Sequence, residues 1–450
     1  MDNEEVSRLL ERYPNGPKVY FQTLGCKVNS YETDAVRTLF ESRGFRTTTD
    51  PRDCDVCVVN TCTVTAEADR KSGQMLRRAK KLAPRAVVAA MGCRTEMRKA
   101  IDEADVCVGT VDRAGLVDLV ISRLFERSDD PDSVLTNEHR SRMAEFEDFG
   151  PVISREGTRA FVKIQDGCDN YCSYCIIPYA RGRSRSRSEE SILHEIRCLG
   201  EEGYIEIVLT GINLGAFGKD SENAHDALTR LLKKAESTEN IRRIRLGSIE
   251  PQMIDEAFVR TIAESSKICR HLHVSLQSGS DSVLLRMNRK YNIKHFAESI
   301  ALLRESMPNI HLSTDIIVGF PAETESEHRE SLLFCEQAGF SKIHVFPYSV
   351  RAGTVAADMQ PKIDSATKSK RKGDFLRLSE DLHIRAAEEM LGKIVSVLVE
   401  EQNHGMYSGY SKEYFRVIFS SGSVFESGSE AQVQITGLSD ETLTGIAHER

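Results

Sequence analysis

Apolar and polar positions alternate along this chain in three different rhythms, and each predicts a different architecture. Between residues 17 and 125, a short β-like run gives way to a helix-like stretch three times over. KVYFQTLGC closes on Cys26, DVCVVNTC on Cys62 and RAVVAAMGC on Cys93, so every predicted strand ends in a cysteine. After the first, Asn29 and Glu32 have capping-box spacing, Val36, Leu39 and Phe40 form an apolar stripe, and Gly44 stops the helix. After the second, Ala68, Met75, Leu76, Ala79 and Leu82 share a face before Pro84. This is the rhythm of an α/β domain on a parallel sheet, whose strands all open at their carboxyl ends on one side.

Residues 126–153 are polar and read as a linker with one short strand. The βα alternation then resumes over a domain spanning 154–390. Strands are predicted at 160–165, 205–210, 242–248, 271–277, 311–318 and 342–347, separated by helical patterns. Six alternations suit a partial (β/α)6 barrel rather than a closed barrel of eight. The strands run out into LTGINLGAFG, GSIEP, SLQSGS and STDIIVGFP, polar or Gly-bearing ends that line the active face of such a barrel. A basic helix follows, with Lys368, Lys370, Arg371, Lys372 and Arg377 expected on a solvated face. Residues 391–450 turn to five short alternating strands, the pattern of a small antiparallel barrel of a kind often used on nucleic acids. Tyr407, Tyr410, Tyr414, Phe415 and Arg416 offer stacking groups there, with half expected in the core.

The composition narrows the class. No apolar run approaches the length of about 18 residues needed to span a bilayer, so no membrane segment is expected. The first seventeen residues are acidic and lack signal-peptide or transit character. Twelve cysteines without a secretory signal imply a reducing, cytoplasmic setting and metal or thiol chemistry. A net charge of −8 argues weakly against nucleic acid, but basic residues cluster at Arg181–Arg187 and Lys368–Arg377.

The chemistry centres on Cys168, Cys172 and Cys175, a C-x3-C-x2-C array in a Gly/Asp/Asn loop after the first barrel strand. Three thiolates cannot saturate four metal positions, so an iron–sulfur cube held here keeps one iron open. Structural zinc is the competing reading, but it takes four ligands, commonly as two separated pairs. Buried structural cysteines are the plainer alternative, and the polar loop speaks against them. Cys26, Cys62 and Cys93 lie at three strand ends of one sheet and can converge as a second three-ligand site, although small buried residues are common there too. Cys54, Cys57 and Cys107 are read as structural, because residues three apart on a strand face opposite sides. Arg181, Arg183, Arg185 and Arg187 leave the cysteine loop directly and are expected to meet RNA phosphates, the alternative being a solvated flexible stretch.

These motifs, over nearly the whole chain and in the same order, resemble the methylthiotransferase branch of the radical S-adenosylmethionine (radical SAM) enzymes. The resemblance implies that Cys168, Cys172 and Cys175 hold the SAM-binding 4Fe–4S cluster and act catalytically, with Tyr174 against the adenine. It implies that Cys26, Cys62 and Cys93 hold an auxiliary 4Fe–4S cluster and that the carboxyl-terminal barrel is a TRAM RNA-binding domain. SAM then serves twice, as radical source and as methyl donor, and the 5′-deoxyadenosyl radical abstracts hydrogen from an unactivated carbon. Strand-end placement adds Thr210, Gly211 and Asn213 near the methionine end of SAM, and Ser275 and Gln277 near its ribose.

Within the branch, TLGCKVNSYETDA, NTCTVT, PYARGRSRSR and LQSGSDSVLLRMNRKY look like the enzymes acting on N6-threonylcarbamoyladenosine (t6A) beside the tRNA anticodon. Those acting on isopentenyladenosine read closer to TFGCQMN, and those acting on a ribosomal protein differ after the third cysteine. Arg94, Thr95 and Glu96 after Cys93, and Ala322 in GFPAET, depart from the branch pattern without touching a ligand. The implied partners are a tRNA anticodon stem-loop, a flavodoxin-type electron donor and a sulfur donor. A non-catalytic iron–sulfur RNA-binding factor is the reading from another class. It is disfavoured because a purely structural cluster is fully ligated.

Overall fold

The computed structural model describes residues 3–98, 101–125, 135–136, 145–153, 157–220 and 226–448. The first rhythm becomes a parallel six-stranded sheet. Its spatial order is Arg46–Thr47, Lys18–Thr23, Val56–Thr61, Val87–Gly92, Val106–Cys107 and Leu135–Thr136. The chain leaves Lys18–Thr23 toward one edge and returns on its other side as Val56–Thr61. A topological switch point therefore lies between those two strands, where an α/β sheet opens a crevice. Cys26 and Cys62 follow the two strands that flank it, and Cys93 follows the next. The short strand expected in the linker is Leu135–Thr136 at the sheet's edge, and most of that linker lies outside the described residues.

Six parallel strands build the second unit, at Arg159–Lys163, Glu206–Thr210, Arg243–Leu246, His271–His273, His311–Val318 and Lys342–Pro347. They form two triplets joined by the parallel bridges Ile244–Ile268 and Ile249–Val274. Period-two alternation explains the packing. Ala160, Val162, Ile164, Ile207, Leu209, Ile244, Leu246, Leu272 and Val274 join the core against the helices. The opposite face of the first strand carries Arg159, Phe161 and Lys163, and each meets a different neighbour. Arg159 reaches Glu400 of the carboxyl-terminal barrel at 2.5 Å, and Lys163 reaches Glu32 of the amino-terminal unit at 2.7 Å. Phe161 packs between them against the small cluster of Tyr31, Ala35 and Val152.

Residues 394–447 close into a five-stranded barrel around Val397, Val399, Val417, Phe419, Val433, Ile435 and Leu443. Buried charge fastens it to the parallel barrel. Glu206 accepts from Arg243 at 2.5 Å and from Arg245 at 2.7 Å. The same guanidinium groups donate to backbone carbonyls of the small barrel, Arg243 to Tyr410 at 2.9 Å and Arg245 to Ser411 at 2.6 Å. No helix among the described residues is long and apolar enough to cross a membrane.

Two expectations change. The helix Lys27–Ser42 starts after Cys26, so Asn29 and Glu32 lie inside it and face inward rather than forming a capping box. Arg371 of the basic helix is buried on Glu323 at 2.6 Å instead of solvated. Of the stacking candidates, Tyr407 and Phe415 are buried in the small barrel, the half expected in its core, while Tyr410 is half-buried and Tyr414 exposed, and both are engaged from the parallel barrel. Tyr414 lies against His271, and the Arg245 guanidinium sits 4.6 Å from its ring centroid. Arg159 lies 5.0 Å from the ring of Tyr410, so both tyrosines turn toward the parallel barrel.

Glu206→Gln leaves two buried guanidinium groups without their carboxylate. The expected cost is about 3–5 kcal/mol, the scale for breaking a buried ion pair from one side. It should be read as a lower urea midpoint in equilibrium unfolding, and an unchanged midpoint would contradict the assignment.

Candidate active site

Both cysteine trios sit where strands end. Cys168, Cys172 and Cys175 occupy the loop after Arg159–Lys163, which is pinned on two sides. Cys168 N–H donates to Gly182 C=O at 3.1 Å and Ser173 N–H to Met287 C=O at 3.0 Å. Gly167, just before the first cysteine, has φ +70, and a Cβ there would lie 1.9 Å from the Arg183 carbonyl oxygen. Cys168 feels the charge of Cys172, and Cys175 feels that of both. Burial first, and then its neighbours, pushes Cys168 up to about 11 and Cys175 up to about 12.

Polar groups missed in the sequence surround this trio. Arg289 donates to Cys172 Sγ at 3.3 Å and pairs with Glu250 at 2.9 Å. Asn170 donates to the same carboxylate at 2.8 Å. Tyr291 accepts from Arg289 at 3.0 Å and donates to the carbonyls of Ser275 and Leu276 at 2.6 and 2.8 Å. Asn213 N–H donates to Gln165 Oε1 at 2.8 Å, its side chain points toward Glu250, and it also supports Cys168. Thr210 and Gly211 back this loop, with Gly211 packed close to Gln165. Gln277 lies on the same face at φ +70, its N–H donating to Asp315 C=O at 2.8 Å. Tyr174 packs with Val283, Met287 and Phe320, and burial raises its phenol well above the ordinary value. The sequence pointed to Glu250 only through GSIEP, and to Arg289 and Tyr291 only through MNRKY.

Cys26, Cys62 and Cys93 also converge. Cys62 feels the charge of Cys26, and Cys93 feels that of both. Gly25, at φ +111, lets the Cys62 side chain approach so closely that a Cβ there would lie 3.1 Å from Cys62 Sγ. Cys26 is exposed while Cys62 and Cys93 are buried, so the trio reaches from the rim of the crevice to its floor. Burial raises the Cys93 thiol to about 12, with the Arg181 charge opposing it.

Each donor set is made of free thiols, the ligand type that holds iron–sulfur clusters. Among the described residues, no three His, Cys, Asp or Glu side chains stand close enough to share a single metal ion. Metal binding requires deprotonated thiols, so loading of either set is coupled to proton release.

The arginine row after the first trio belongs to this architecture and not to a surface. Arg181, Arg185 and Arg187 are buried. Arg181 crosses to the amino-terminal helix, donating to Glu32 at 2.8 and 3.0 Å and to Asn29 Oδ1 at 2.8 Å, and also to Asp166 at 3.0 Å. Asn29 Oδ1 lies 3.6 Å from Cys26 Sγ. Arg185 pairs with Asp166 at 3.2 Å, and Arg187 with Glu195, Asp148 and Tyr31. These three cannot meet RNA phosphates, because their partners are fixed inside the protein. Arg183 alone of the four is exposed. Burial disfavours ionised Glu32, but Arg113, Arg181 and Lys163 outweigh it and bring the carboxyl down to about 2.

Beside the first barrel strand, a cavity of about 1140 Å³ runs between all three units. It is bordered by Lys27, Phe161, Arg159, Arg245, Tyr414 and Glu400, among others.

Comparison with known proteins accords with these features. Residues 162–335 match the radical SAM superfamily, and residues 18–109 match a family described as "Uncharacterized protein family UPF0004". The threonylcarbamoyladenosine tRNA methylthiotransferase MtaB of Bacillus subtilis is 39% identical over 89% of this chain and 90% of its own length. That of Aquifex aeolicus is 35% identical over 87% and 95%. A tRNA-2-methylthio-N(6)-dimethylallyladenosine synthase of Thermoanaerobacter pseudethanolicus is 33% identical over 88% and 85%. Among solved structures, the radical SAM methyltransferase TsrM of Kitasatospora setae superposes with a TM-score of 0.55 at 16% identity, covering 87% of this chain and 80% of its own. That likeness concerns the fold.

The charge on Glu32 gives a pH signature. Its folded pKa is depressed from 4.5 to about 2, so its contribution is complete above 4.5 and is lost as pH falls toward 2. Glu32→Gln should lower the melting temperature at pH 7. The wild-type and variant curves should then converge between pH 4.5 and 2, as followed by circular dichroism. Curves that stay parallel through that window would contradict the network.

Proposed function

Because the chain belongs to the radical SAM tRNA methylthiotransferase family, we propose that it converts t6A at position 37 of tRNA to its 2-methylthio derivative. The observation that carries this reading is the pair of three-thiol sites, each at the strand-end face of its own sheet and joined through Arg181. Cys168, Cys172 and Cys175 hold the SAM-binding 4Fe–4S cluster, and Cys26, Cys62 and Cys93 the auxiliary one. When bound, these groups supply reductive cleavage of SAM at the first site and the sulfur that replaces the adenine C2 hydrogen at the second.

The protein's own residues bind and orient. Arg289 and Glu250 place opposite charges beside the first trio, complementary to the carboxylate and ammonium of the methionine end of SAM. Asn170 and Asn213 hold the Glu250 carboxylate in that position. Arg289 also donates to Cys172 Sγ and so fixes that ligand's side chain. Tyr174 offers an aromatic face for adenine, while Ser275 and Gln277 lie on the ribose side. Arg183 and the carboxyl-terminal TRAM barrel contribute to RNA binding, and a one-electron reductant and a sulfur donor complete the cytoplasmic system. The choice of t6A rests on the two threonylcarbamoyladenosine relatives and on TLGCKVN around Cys26. The dimethylallyladenosine synthase supports isopentenyladenosine as the second reading.

Nucleoside mass spectrometry of tRNA from cells lacking the gene should show loss of 2-methylthio-t6A with other 2-methylthio nucleosides intact. Loss of the isopentenyladenosine product instead would transfer the assignment to that substrate. For the purified, anaerobically reconstituted protein, Cys172→Ala should abolish SAM cleavage to 5′-deoxyadenosine. Cys62→Ala should retain that cleavage but insert no sulfur, and about half of the iron should be absent from either variant.

A further inference from the structure

We infer that Lys27 recognises the carboxylate at the end of the substrate's N6 substituent and thereby selects t6A over adenosines with an apolar substituent. This rests on the t6A reading above and names the group that enforces it.

Three cations border the cavity between the units: Lys27, Arg159 and Arg245. Two are already neutralised. Arg159 is held by Glu400 at 2.5 Å and Arg245 by Glu206 at 2.7 Å. Lys27 is exposed and makes no ion pair or hydrogen bond among the described residues. It is the one uncommitted positive charge on that wall among the described residues. Its charge reaches into the barrel, where burial first, then neighbouring cationic groups, and in smaller part Lys27 lower His271 and His344 from the ordinary imidazole value.

Its place in the chain sharpens the point. Lys27 follows Cys26 directly and begins the helix Lys27–Ser42. A cation in the first turn opposes the helix dipole, so helix stability provides no reason for a lysine here. Four acidic groups border the cavity, Glu41, Glu202, Glu400 and Glu401, and none of them pairs with Lys27 among the described residues. Glu41 lies fourteen residues farther along the same helix, about 21 Å away. Glu400 is occupied by Arg159.

The substrate's chemistry matches this position. In t6A, the reacting C2 and the carbon bearing the N6 substituent flank the same ring nitrogen. A side chain beside the sulfur-supplying trio is therefore in reach of the threonyl carboxylate when C2 faces that trio. A free ammonium gains a charge-assisted hydrogen bond from a carboxylate. A hydrocarbon substituent offers no such bond and strips water from the ammonium, which penalises the wrong nucleoside.

The test uses three anticodon stem-loops identical except at nucleotide 37, bearing t6A, isopentenyladenosine or adenosine. Each is titrated by fluorescence anisotropy against the reconstituted full-length protein, Lys27→Gln and Lys27→Arg. Wild type should favour the t6A stem-loop. Lys27→Gln should lose about tenfold on that RNA, the scale of one charged hydrogen bond, while binding the adenosine stem-loop as before, which also reports an intact fold. Lys27→Arg should keep most of the preference. A preference that survives Lys27→Gln overturns the role of Lys27 alone, as does an equal fall on all three RNAs. A wild-type protein that binds all three alike overturns the t6A reading and this inference with it.

Discussion

Glu32 and Asp166, two carboxylates sealed from water, are the hinge on which the arrangement turns. Around them lie Arg113, Lys163, Arg181 and Arg185, drawn from the amino-terminal unit, the first barrel strand and the cysteine loop. Burying so much charge is costly, and geometry must repay it. The charges are also unequal. Four cations face two fully buried carboxylates, with Glu147 adding a third, half-buried one beside Arg113. The surplus sits at Arg181, whose guanidinium faces Cys93. Deprotonated thiols in the auxiliary trio would balance it. The network is thus best satisfied when the amino-terminal site carries the negative charge of thiolate ligands.

The same economy shapes the barrel. Its outer face is an ordinary apolar layer against helices, but its inner face holds Arg159, Lys163, Glu206, Arg243, Arg245, His271, His273, Ser313 and Asp315. Side chains do not fill such a lumen with hydrocarbon, so its charges must be met by neighbouring units. The carboxyl-terminal barrel supplies backbone carbonyls to Arg243 and Arg245, and the amino-terminal helix supplies Glu32 to Lys163. Electrostatic completion therefore helps to fix how the units sit on one another. It also leaves the cavity wall with one unpaired ammonium among the described residues.

Much of this was legible in the sequence, for identifiable reasons. Strand positions followed from period-two alternation, and the convergence of Cys26, Cys62 and Cys93 followed from the rule that parallel strands open on one side. The helix Lys27–Ser42 was legible, but not its start. Spacing alone assigned Asn29 and Glu32 to a cap, whereas partners 149 and 152 residues away draw them inward. The arginine row failed for the same reason. Arg181, Arg185 and Arg187 look like a solvated or RNA-binding run until the carboxylates that bury them are known. Glu250, Arg289 and Tyr291 lay in polar strand-end and loop segments, where sequence marks a face but not which side chain reaches a thiol. Tyr410 and Tyr414 had the right chemistry for stacking, but the docking of one barrel on another decided which way they turned.

A single stretch ties the two thiol sites together. From Gln165 to Arg187 the chain leaves the first barrel strand, presents Cys168, Cys172 and Cys175, and returns to pair Gln165 with Ser186 and Asp166 with Arg185. Within that closed loop, Thr110 donates to the Ala180 carbonyl at 2.7 Å, and Arg181 enters the amino-terminal unit. Any shift of the first trio is therefore transmitted to the neighbourhood of the second. In the proposed reaction one site opens a carbon–hydrogen bond and the other delivers sulfur, and misplacement by about 1 Å costs orders of magnitude in rate. Two sites on freely hinged units could not meet that tolerance. The buried arginine that failed as an RNA contact is the piece of chemistry that lets them.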